Sequence, residues 1–416
     1  MFFSSENMCS CCKGRLWCGK ERCPLLVKFY AHQKTKPMID STELDGSSPP
    51  GIFIGHFGYP KVFIGPLVPP MHGDTAVMDT PEMWQEKTID DIVNFRFSLV
   101  RGKFLADIRS PGLIDMGKRV GHEKIIEIIR EIAMASSPSD VEMSFKKKPY
   151  GRYIGSDDSQ PFGPSAPLKG IDIGNIKAEK VIEKVFYDTD LKASEAVLEL
   201  YYKGVLVSKI QKSFSCGIFG LKKSRRFVPT RWSITAVDDI IGKALIEKTK
   251  SFPVINEYRV YEHVQLDNMW IVLMLPREWC FELIEAWYPG TIWNPTGRNI
   301  SMLSDHEFYN GRKKYAEIGG CYYASRLAVN ELLNKERRQA GVIVFREARP
   351  GYIMPVGVWN VREAVRGALR NTPKKFITLT ETLMYIKKRF EIPLAKWIEK
   401  STILKDCMRQ KRLFEF

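Results

Sequence analysis

The chain has 416 residues, of which 44% are hydrophobic and 27% are charged. This composition excludes disorder over most of the chain, and no apolar run approaches the ~20 residues that a bilayer requires. The formal net charge is +15, with −1 on residues 1–200 and +16 on residues 201–416. A basic half favours DNA or a nucleotide as partner. With no apolar leader either, we expect a cytoplasmic, nucleoid-associated protein and no membrane partner.

Five of the nine cysteines lie between Cys9 and Cys23. Their spacing predicts a structural zinc site in a ribbon over residues 1–39, since thiolates a few residues apart can converge on one tetrahedral ion. The predicted ligands are Cys9, Cys12, Cys18 and Cys23. Cys11 competes with Cys12 for the site, and the spacing does not decide between them. An iron–sulfur cluster or redox-active thiols are the alternatives.

After the ribbon, the alternation of apolar runs with Gly- and Pro-rich turns predicts a mixed domain over residues 52–156. Residues 40–51 are rich in Ser, Asp, Pro and Gly and predict a flexible loop. Within the domain we expect two strands over residues 52–67 and a helix over residues 123–135. Residues 156–174 are again rich in Asp, Ser, Pro and Gly, which predicts a long connection and a domain boundary.

Residues 175–400 predict a basic α/β domain, followed by a tail over residues 401–416. Aromatic and β-branched runs indicate strands over residues 258–287 and 341–346. Helices are expected over residues 192–210, 238–248, 321–340, 360–370, 376–389 and 393–400. The predicted fold class is therefore α+β, a mixed α/β arrangement with antiparallel elements, in which a zinc ribbon is appended to one or two mixed domains.

Residues 228–239 predict a ligand site on a polar loop that leads into a helix. We expect Thr230 and Arg231 to bind a phosphate and Trp232 to stack on a base. Asp238 and Asp239 would supply acid–base or divalent-metal chemistry. A second divalent metal would be held by the aspartates. The competing interpretation is that one of the aspartates only caps the helix.

Residues 319–363 form a second candidate site, in which arginines occur beside aromatic and acidic residues. The phosphate- or nucleotide-binding candidates are Arg326, Arg346, Trp359 and Arg362, and Glu347 is a catalytic candidate together with Asp238 and Asp239. We expect this segment to share one pocket with residues 228–239. The alternative is a structural Arg–Glu network, since buried arginines need counter-charges. No Walker or GxGxxG motif is present, so ATP-driven work is not expected.

The last seven residues match the sliding-clamp (PCNA) interaction motif Gln-x-x-aliphatic-x-x-aromatic. A one-turn helix would place Leu413 and Phe416 side by side in an apolar pocket of the clamp, with Gln410 hydrogen-bonded nearby. Phe414 is out of register with this motif. The alternative is an amphipathic tail that docks on its own domain.

Several of these residues together resemble the archaeal NreA family. They are the cysteine set of the ribbon, the turn Gly58-Tyr59-Pro60, residues 229–233, and residues 357–359 with Arg362 and Glu363. The resemblance spans nearly the whole chain and implies an archaeal DNA repair protein that binds PCNA. It carries over the zinc ligands and the clamp motif residue by residue. It supplies no reaction, so a non-catalytic DNA-binding adaptor and a hydrolase of nucleotide or ADP-ribose-type groups both stay open.

Overall fold

The structure is a computed structural model, which describes residues 12, 14–17, 20–113, 122–151, 161–295 and 297–409. It divides into two compact units. The N-terminal unit comprises Leu25–Gly155 and Ser159–Ile241, and the C-terminal unit comprises Met1–Pro24, Ser156–Asp158 and Gly242–Phe416. Each unit contains one six-stranded mixed sheet with helices, which confirms the expected mixed α/β class. In the described part of the chain no helix is long and apolar enough to cross a membrane.

The sheet of the N-terminal unit has the strand order β1-β5-β6-β4-β3-β2. Its strands are β1 (Glu43–Ser48), β2 (Gly51–Ile54), β3 (Lys61–Val68), β4 (Val100–Asp107), β5 (Ser139–Phe145) and β6 (Ser165–Ile173). Neighbouring strands are antiparallel except for β4 and β6, which run parallel. The two strands predicted over residues 52–67 are confirmed, because β2 and β3 form an antiparallel pair around the turn at residues 55–60.

Two loop predictions in this unit are wrong. Residues 40–51 contain β1, whose polar residues pair with β5, and the Ser47 hydroxyl donates a 2.6 Å hydrogen bond to Asp140. Residues 156–174 contain β6, which pairs with both β4 and β5 and so belongs inside the sheet. In both segments, pairing with a distant strand satisfies backbone groups that the local composition would leave to solvent.

Among the described residues up to 249, the named α-helices are α1 (Pro24–Thr35), α2 (Ile89–Ser98), α3 (Ser110–Leu113), α4 (His122–Met134), α5 (Lys180–Tyr187), α6 (Ala193–Tyr202), α7 (Val207–Ser215) and α8 (Thr230–Thr249). Helix α4 confirms the prediction over residues 123–135, and Ile128, Ile129 and Ile132 are fully buried on one face. The helix predicted over residues 192–210 is instead two helices. Gly204, at a φ of 83°, lies between them and ends the first.

The sheet of the C-terminal unit has the order β10-β9-β11-β8-β7-β12. Its strands are β7 (Tyr258–Gln265), β8 (Asn268–Leu275), β9 (Cys280–Trp287), β10 (Ser301–Glu307), β11 (Gly341–Ala348) and β12 (Lys374–Phe376). Strands β9 and β11 run parallel, and the other neighbours are antiparallel. Every residue of β8, β9 and β11 is buried, which explains why these strands are mostly apolar.

Helices cover both faces of this second sheet. Helices α9 (Gly320–Glu336) and α10 (Trp359–Arg370) pack on one face, where Trp270, Val272 and Val344 contribute to the core. The opposite face is covered by α11 (Leu379–Lys387), α12 (Leu394–Lys400) and α13 (Thr402–Arg409). Helix α13 occupies residues that were expected to be a polar tail.

A buried carboxylate of β9 holds the start of α13. Glu282 accepts hydrogen bonds from the Ser401 hydroxyl at 2.5 Å and from the backbone N–H of Thr402 at 2.8 Å and Ile403 at 3.2 Å. Burial raises the pKa of Glu282, while these donors lower it in part. The first N–H groups of α13 are therefore capped by a side chain from a strand, in addition to the residue that directly precedes the helix.

Candidate functional site

Residues 230–237 are helical, so the prediction of a loop there is wrong, and the helix predicted from residue 238 begins two turns earlier. Helix α8 begins at Thr230, directly after Pro229, whose carbonyl accepts hydrogen bonds from the N–H groups of Trp232 and Ser233. The Thr230 hydroxyl accepts a 3.0 Å hydrogen bond from the backbone N–H of Ile54 at the end of β2. This contact ties the first turn of α8 to the β2–β3 turn.

Three aromatic side chains are exposed at this place, and we call them the aromatic surface: Phe57, Tyr59 and Trp232. Trp232 is 46% exposed and Tyr59 is 50% exposed, and their ring centroids lie 5.5 Å apart. Phe57 is more exposed still and packs against His56. Large apolar rings that keep half of their area in water offer faces on which another planar group can stack.

Exposed cations lie on the segments next to the aromatic surface. Lys61 follows the β2–β3 turn and pairs in register with Asp107 of β4, and Arg109 lies two residues further. The hydrogen bond of Arg109 lowers the pKa of Asp107 to about 2. Arg231 is exposed next to Trp232, and Arg226 is exposed beside Phe227, whose N–H donates to the carbonyl of Ile108.

Asp238 and Asp239 lie in the middle of α8, so neither caps it. Asp238 is fully buried and accepts a 2.8 Å hydrogen bond from the Gln211 amide of α7, and Asp239 is partly buried. Within the described residues, no group of three or more His, Cys, Asp or Glu side chains could hold a metal ion. The expected acid–base or second-metal role of these aspartates stays a prediction.

The arginines of the second candidate segment are paired with carboxylates. Nη1 of Arg326 lies 2.6 Å from Glu307, and Nη1 of Arg346 lies 3.0 Å from Glu285; Nε of Arg362 lies 3.2 Å from Glu363. All six side chains are buried. This is the arrangement that a structural Arg–Glu network requires. The sequence reasoning missed Glu285 and Glu307. For Glu285, an acid inside the mostly apolar strand β9 was an available signal, whereas Glu307 ends a polar strand and had none.

Arg346 has the most elaborate surroundings of these arginines. Its guanidinium lies over the rings of Trp270, Trp287 and Tyr352, at 5.0, 4.6 and 5.0 Å from their centroids. Its Nε donates a 2.9 Å hydrogen bond to Asn268. Burial raises the pKa of the Tyr352 hydroxyl, so that this ring stays neutral beside the cation.

Glu347 does not join Arg346, because neighbouring residues of a strand face opposite sides of a sheet. The Glu347 carboxylate is fully buried, and it accepts hydrogen bonds from Nε of Arg349 at 3.1 Å and from the backbone N–H of Glu391 and Ile392. Burial raises its pKa. Trp359 is also buried and donates from Nε1 to the carbonyl of Val356. Both side chains therefore hold local structure.

The proposed single pocket would need residues from both units. Residues 230–239 belong to the N-terminal unit, and residues 326–363 belong to the C-terminal unit. The shared pocket therefore stays a prediction.

Of the predicted zinc ligands, Cys12 and Cys23 are described. Cys12 is buried, and its Sγ accepts a 3.4 Å hydrogen bond from the N–H of Trp17, after a turn in which Gly14 has a φ of 85°. A backbone N–H aimed at a cysteine sulfur fits a thiolate ligand. Cys9, Cys11 and Cys18 lie outside the described residues, as do the predicted clamp-binding residues Gln410, Leu413 and Phe416.

The structure thus defines a mixed α/β protein with two sheets and an exposed aromatic surface among cations. Two family models match the chain: archaeal Nre, N-terminal, over residues 17–294, and archaeal Nre, C-terminal, over residues 307–416. The chain belongs to the archaeal Nre family.

Curated relatives agree with this membership over nearly their full length. The chain is 44% identical to DNA repair protein NreB of Archaeoglobus fulgidus, over 98% of this chain and 99% of the relative. It is 38% identical to DNA repair protein NreA of the same organism, over 92% and 94%. It is 33% identical to DNA repair protein NreA of Haloferax volcanii, over 91% and 90%. No solved structure matches the chain.

Proposed function

We propose that this protein is a DNA repair factor that binds unpaired bases of DNA on the aromatic surface and is recruited to the sliding clamp by its C-terminal motif. The names of three relatives, each a DNA repair protein, support the general role. The observation that carries the DNA contact is the exposed Tyr59–Trp232 pair, set among the exposed side chains of Lys61, Arg226 and Arg231.

The chemistry of this surface favours unpaired over paired bases. A base inside a duplex already has both faces stacked, whereas an unstacked base can lie on an exposed ring. Cations next to the rings would neutralise the phosphates on either side of the bound base. Damaged, mismatched or single-stranded sites are where bases leave the stack most readily.

The proposal assigns no reaction to the protein. Of the three carboxylate candidates, Asp238 and Glu347 are buried and hydrogen-bonded to protein groups, and Asp239 is partly buried in the middle of α8. The arginines expected to clamp a phosphodiester are paired with glutamates. These contacts favour a binding role over the alternative of a nucleotide or ADP-ribose hydrolase.

Replacement of Trp232 by alanine tests the proposed surface. We expect a loss of single-stranded DNA affinity of about 5- to 150-fold, because one base–aromatic stack contributes about 1–3 kcal/mol. Trp232→Phe should retain most of the affinity, since phenylalanine keeps a ring face. Fluorescence anisotropy with a labelled oligonucleotide at fixed salt measures both variants.

The matched control is Tyr187→Ala, which removes an aromatic side chain that is also exposed but lies outside the aromatic surface. This variant should bind as the unmodified protein does. The proposal is wrong if Trp232→Ala and Tyr187→Ala have the same affinity, or if the protein binds a blunt duplex as tightly as a single strand.

We also propose that Cys9, Cys12, Cys18 and Cys23 hold a structural zinc ion. The buried Cys12 sulfur with its N–H donor supports this proposal. Cys18→Ser should lower the bound zinc, measured by mass spectrometry of the purified protein, from about one ion per chain to near zero. Cys11→Ser is the control and should retain the ion. Equal zinc loss in both variants would show that Cys11 is a ligand.

A further inference from the structure

The carboxyl end of the parallel pair β9 and β11 has features of a ligand site that the aromatic surface does not use. The two strands end together, at Trp287 and Ala348. Helix α9 leads into β11 through a short connection, and α10 follows β11, so that both helices begin toward this end of the sheet. In sheets with parallel strands, such an end is where small ligands usually bind.

At the start of α9, the N–H of Gly319 donates to the carbonyl of Ala316, and the N–H of Tyr322 donates to the carbonyl of Gly319. Among the described residues, this leaves the N–H of Gly320 available to a ligand. The N-cap of α9 is Gly319, at a φ of 75°, and no side chain caps the helix. Gly319, Gly320 and Cys321 are partly exposed, and the first turn has no acidic residue. The backbone N–H groups at such a start carry the positive end of the helix dipole, and they favour an anion.

Arg346 brings a buried cation next to this turn. The chain places Trp270, Arg346 and Glu285 in one row across β8, β11 and β9, on the face that α9 covers. The Cys321 thiol of α9 lies among these groups: burial raises its pKa, Glu285 raises it further, and Arg346 lowers it. The Arg346 guanidinium is only 3% exposed.

Unused hydrogen-bonding groups gather around this cation. In the described part of the chain, Nη2 of Arg346 and Nε1 of both Trp270 and Trp287 are buried without a hydrogen-bond partner. All three are donors, so the group that would satisfy them is an acceptor. Burial without a partner carries a free-energy cost that a bound acceptor would remove.

A fourth unused group lies at the start of α10. Asn360, in the first turn of that helix, is fully buried, and neither its amide nitrogen nor its amide oxygen has a partner among the described residues. No side chain caps this helix either, and its first turn has no acidic residue. A buried amide of this kind is rare in proteins, and a bound polar group is one of its ordinary explanations.

We propose that Arg346 and the first turn of α9 bind the phosphate group of a nucleotide. Glu285 balances the charge of Arg346, so the attraction comes from the unused N–H donors and the helix start. Trp293, 54% exposed and edge-on to Trp287 with centroids 6.4 Å apart, offers a face for the base. This site lies in the C-terminal unit and does not depend on the aromatic surface around Trp232.

Thermal unfolding and titration calorimetry of the full chain with dAMP test this site. At a hundredfold excess over Kd, dAMP should raise the Tm of the protein by about 5 °C. Arg346→Lys should abolish dAMP binding, because lysine cannot reproduce the planar guanidinium. Asn360→Leu should leave the Tm without ligand unchanged or higher, since it removes an unpartnered buried amide, yet it should weaken dAMP binding at least tenfold.

Arg366→Lys is the matched control. It alters another Arg–Glu contact of α10, with Glu331 and Glu363, and should leave dAMP binding intact. Trp232→Ala should also keep the Tm rise with dAMP, which separates this site from the DNA surface. If Arg346→Lys does not fold, Asn360→Leu decides.

The source of the phosphate is settled by comparing dAMP, inorganic phosphate, and an oligonucleotide with and without a 5′-phosphate. Tighter binding of dAMP than of inorganic phosphate supports a nucleotide site. Tighter binding of the phosphorylated oligonucleotide than of dAMP would show that the ligand of this site is a 5′-phosphorylated DNA end and not a free nucleotide. The proposal is overturned if dAMP does not bind, if inorganic phosphate binds equally well as an adventitious ion only, or if binding persists in both Arg346→Lys and Asn360→Leu.

Discussion

Replacement of Asp79 by alanine is expected to lower the free energy of unfolding by about 3–5 kcal/mol. The buried Asp79 carboxylate lies 3.1 Å from Nη1 of Arg96 in α2 and 2.9 Å from Nζ of Lys212 in α7. Both cations are largely buried, so the substitution leaves two charges in the protein interior without their shared counter-ion. Urea denaturation followed by circular dichroism measures the change.

Asp172→Ala is the control for this prediction. Asp172 makes an exposed ion pair with Lys124 at 3.0 Å, and the loss of such a pair changes stability by no more than about 1 kcal/mol. Asp79→Asn, which keeps the shape but not the charge, should fall between the two. A change below 1 kcal/mol for Asp79→Ala would contradict the assigned role of this carboxylate in joining α2 and α7.

Replacement of Phe416 by alanine is expected to weaken binding to the sliding clamp by about 30-fold or more. In the proposed motif, Phe416 is the aromatic anchor of the apolar pocket, and truncation of such an anchor costs about 2 kcal/mol or more. Surface plasmon resonance with immobilised clamp measures the affinity. Loss of binding on deletion of residues 410–416 would show the same dependence on the motif.

Phe414 supplies the matched control within the same segment. It has the same side chain and lies two residues away, but it is out of register with the motif. Phe414→Ala should therefore retain clamp binding. The motif assignment is wrong if Phe414→Ala and Phe416→Ala weaken binding equally, or if the chain shortened by residues 410–416 still binds the clamp.

Elements with strong local patterns were predictable from the sequence. The apolar face of α4 and the continuous hydrophobic runs of β8 and β11 identify a helix and buried strands without any partner. Strand β1 was not predictable, because its Ser, Asp and Gly residues become a strand through pairing with β5, nearly a hundred residues along the chain. The helix start at Thr230 was not predictable either, because the polar residues 228–233 also suit a loop.

Some features of the candidate site were likewise predictable from the sequence, and others were not. The sequence identified Trp232 and Arg231 as unusual, and both are exposed at the start of α8. It could not show that Tyr59 lies beside Trp232, because that contact joins residues far apart in the chain. It also could not distinguish ligand-binding arginines from paired ones, since the partner of Arg346, Glu285, stands on another strand of the sheet.

The contact of Glu282 with the start of α13 has a consequence for recruitment. Because β9 holds this helix, the seven residues from its last residue, Arg409, to Phe416 can extend by at most about 25 Å. A clamp bound at Phe416 would thus stay within that distance of α13, at an effective concentration on the order of millimolar. Even if the protein bound free DNA with a dissociation constant well above micromolar, this local concentration would keep it bound most of the time to DNA threaded through the clamp.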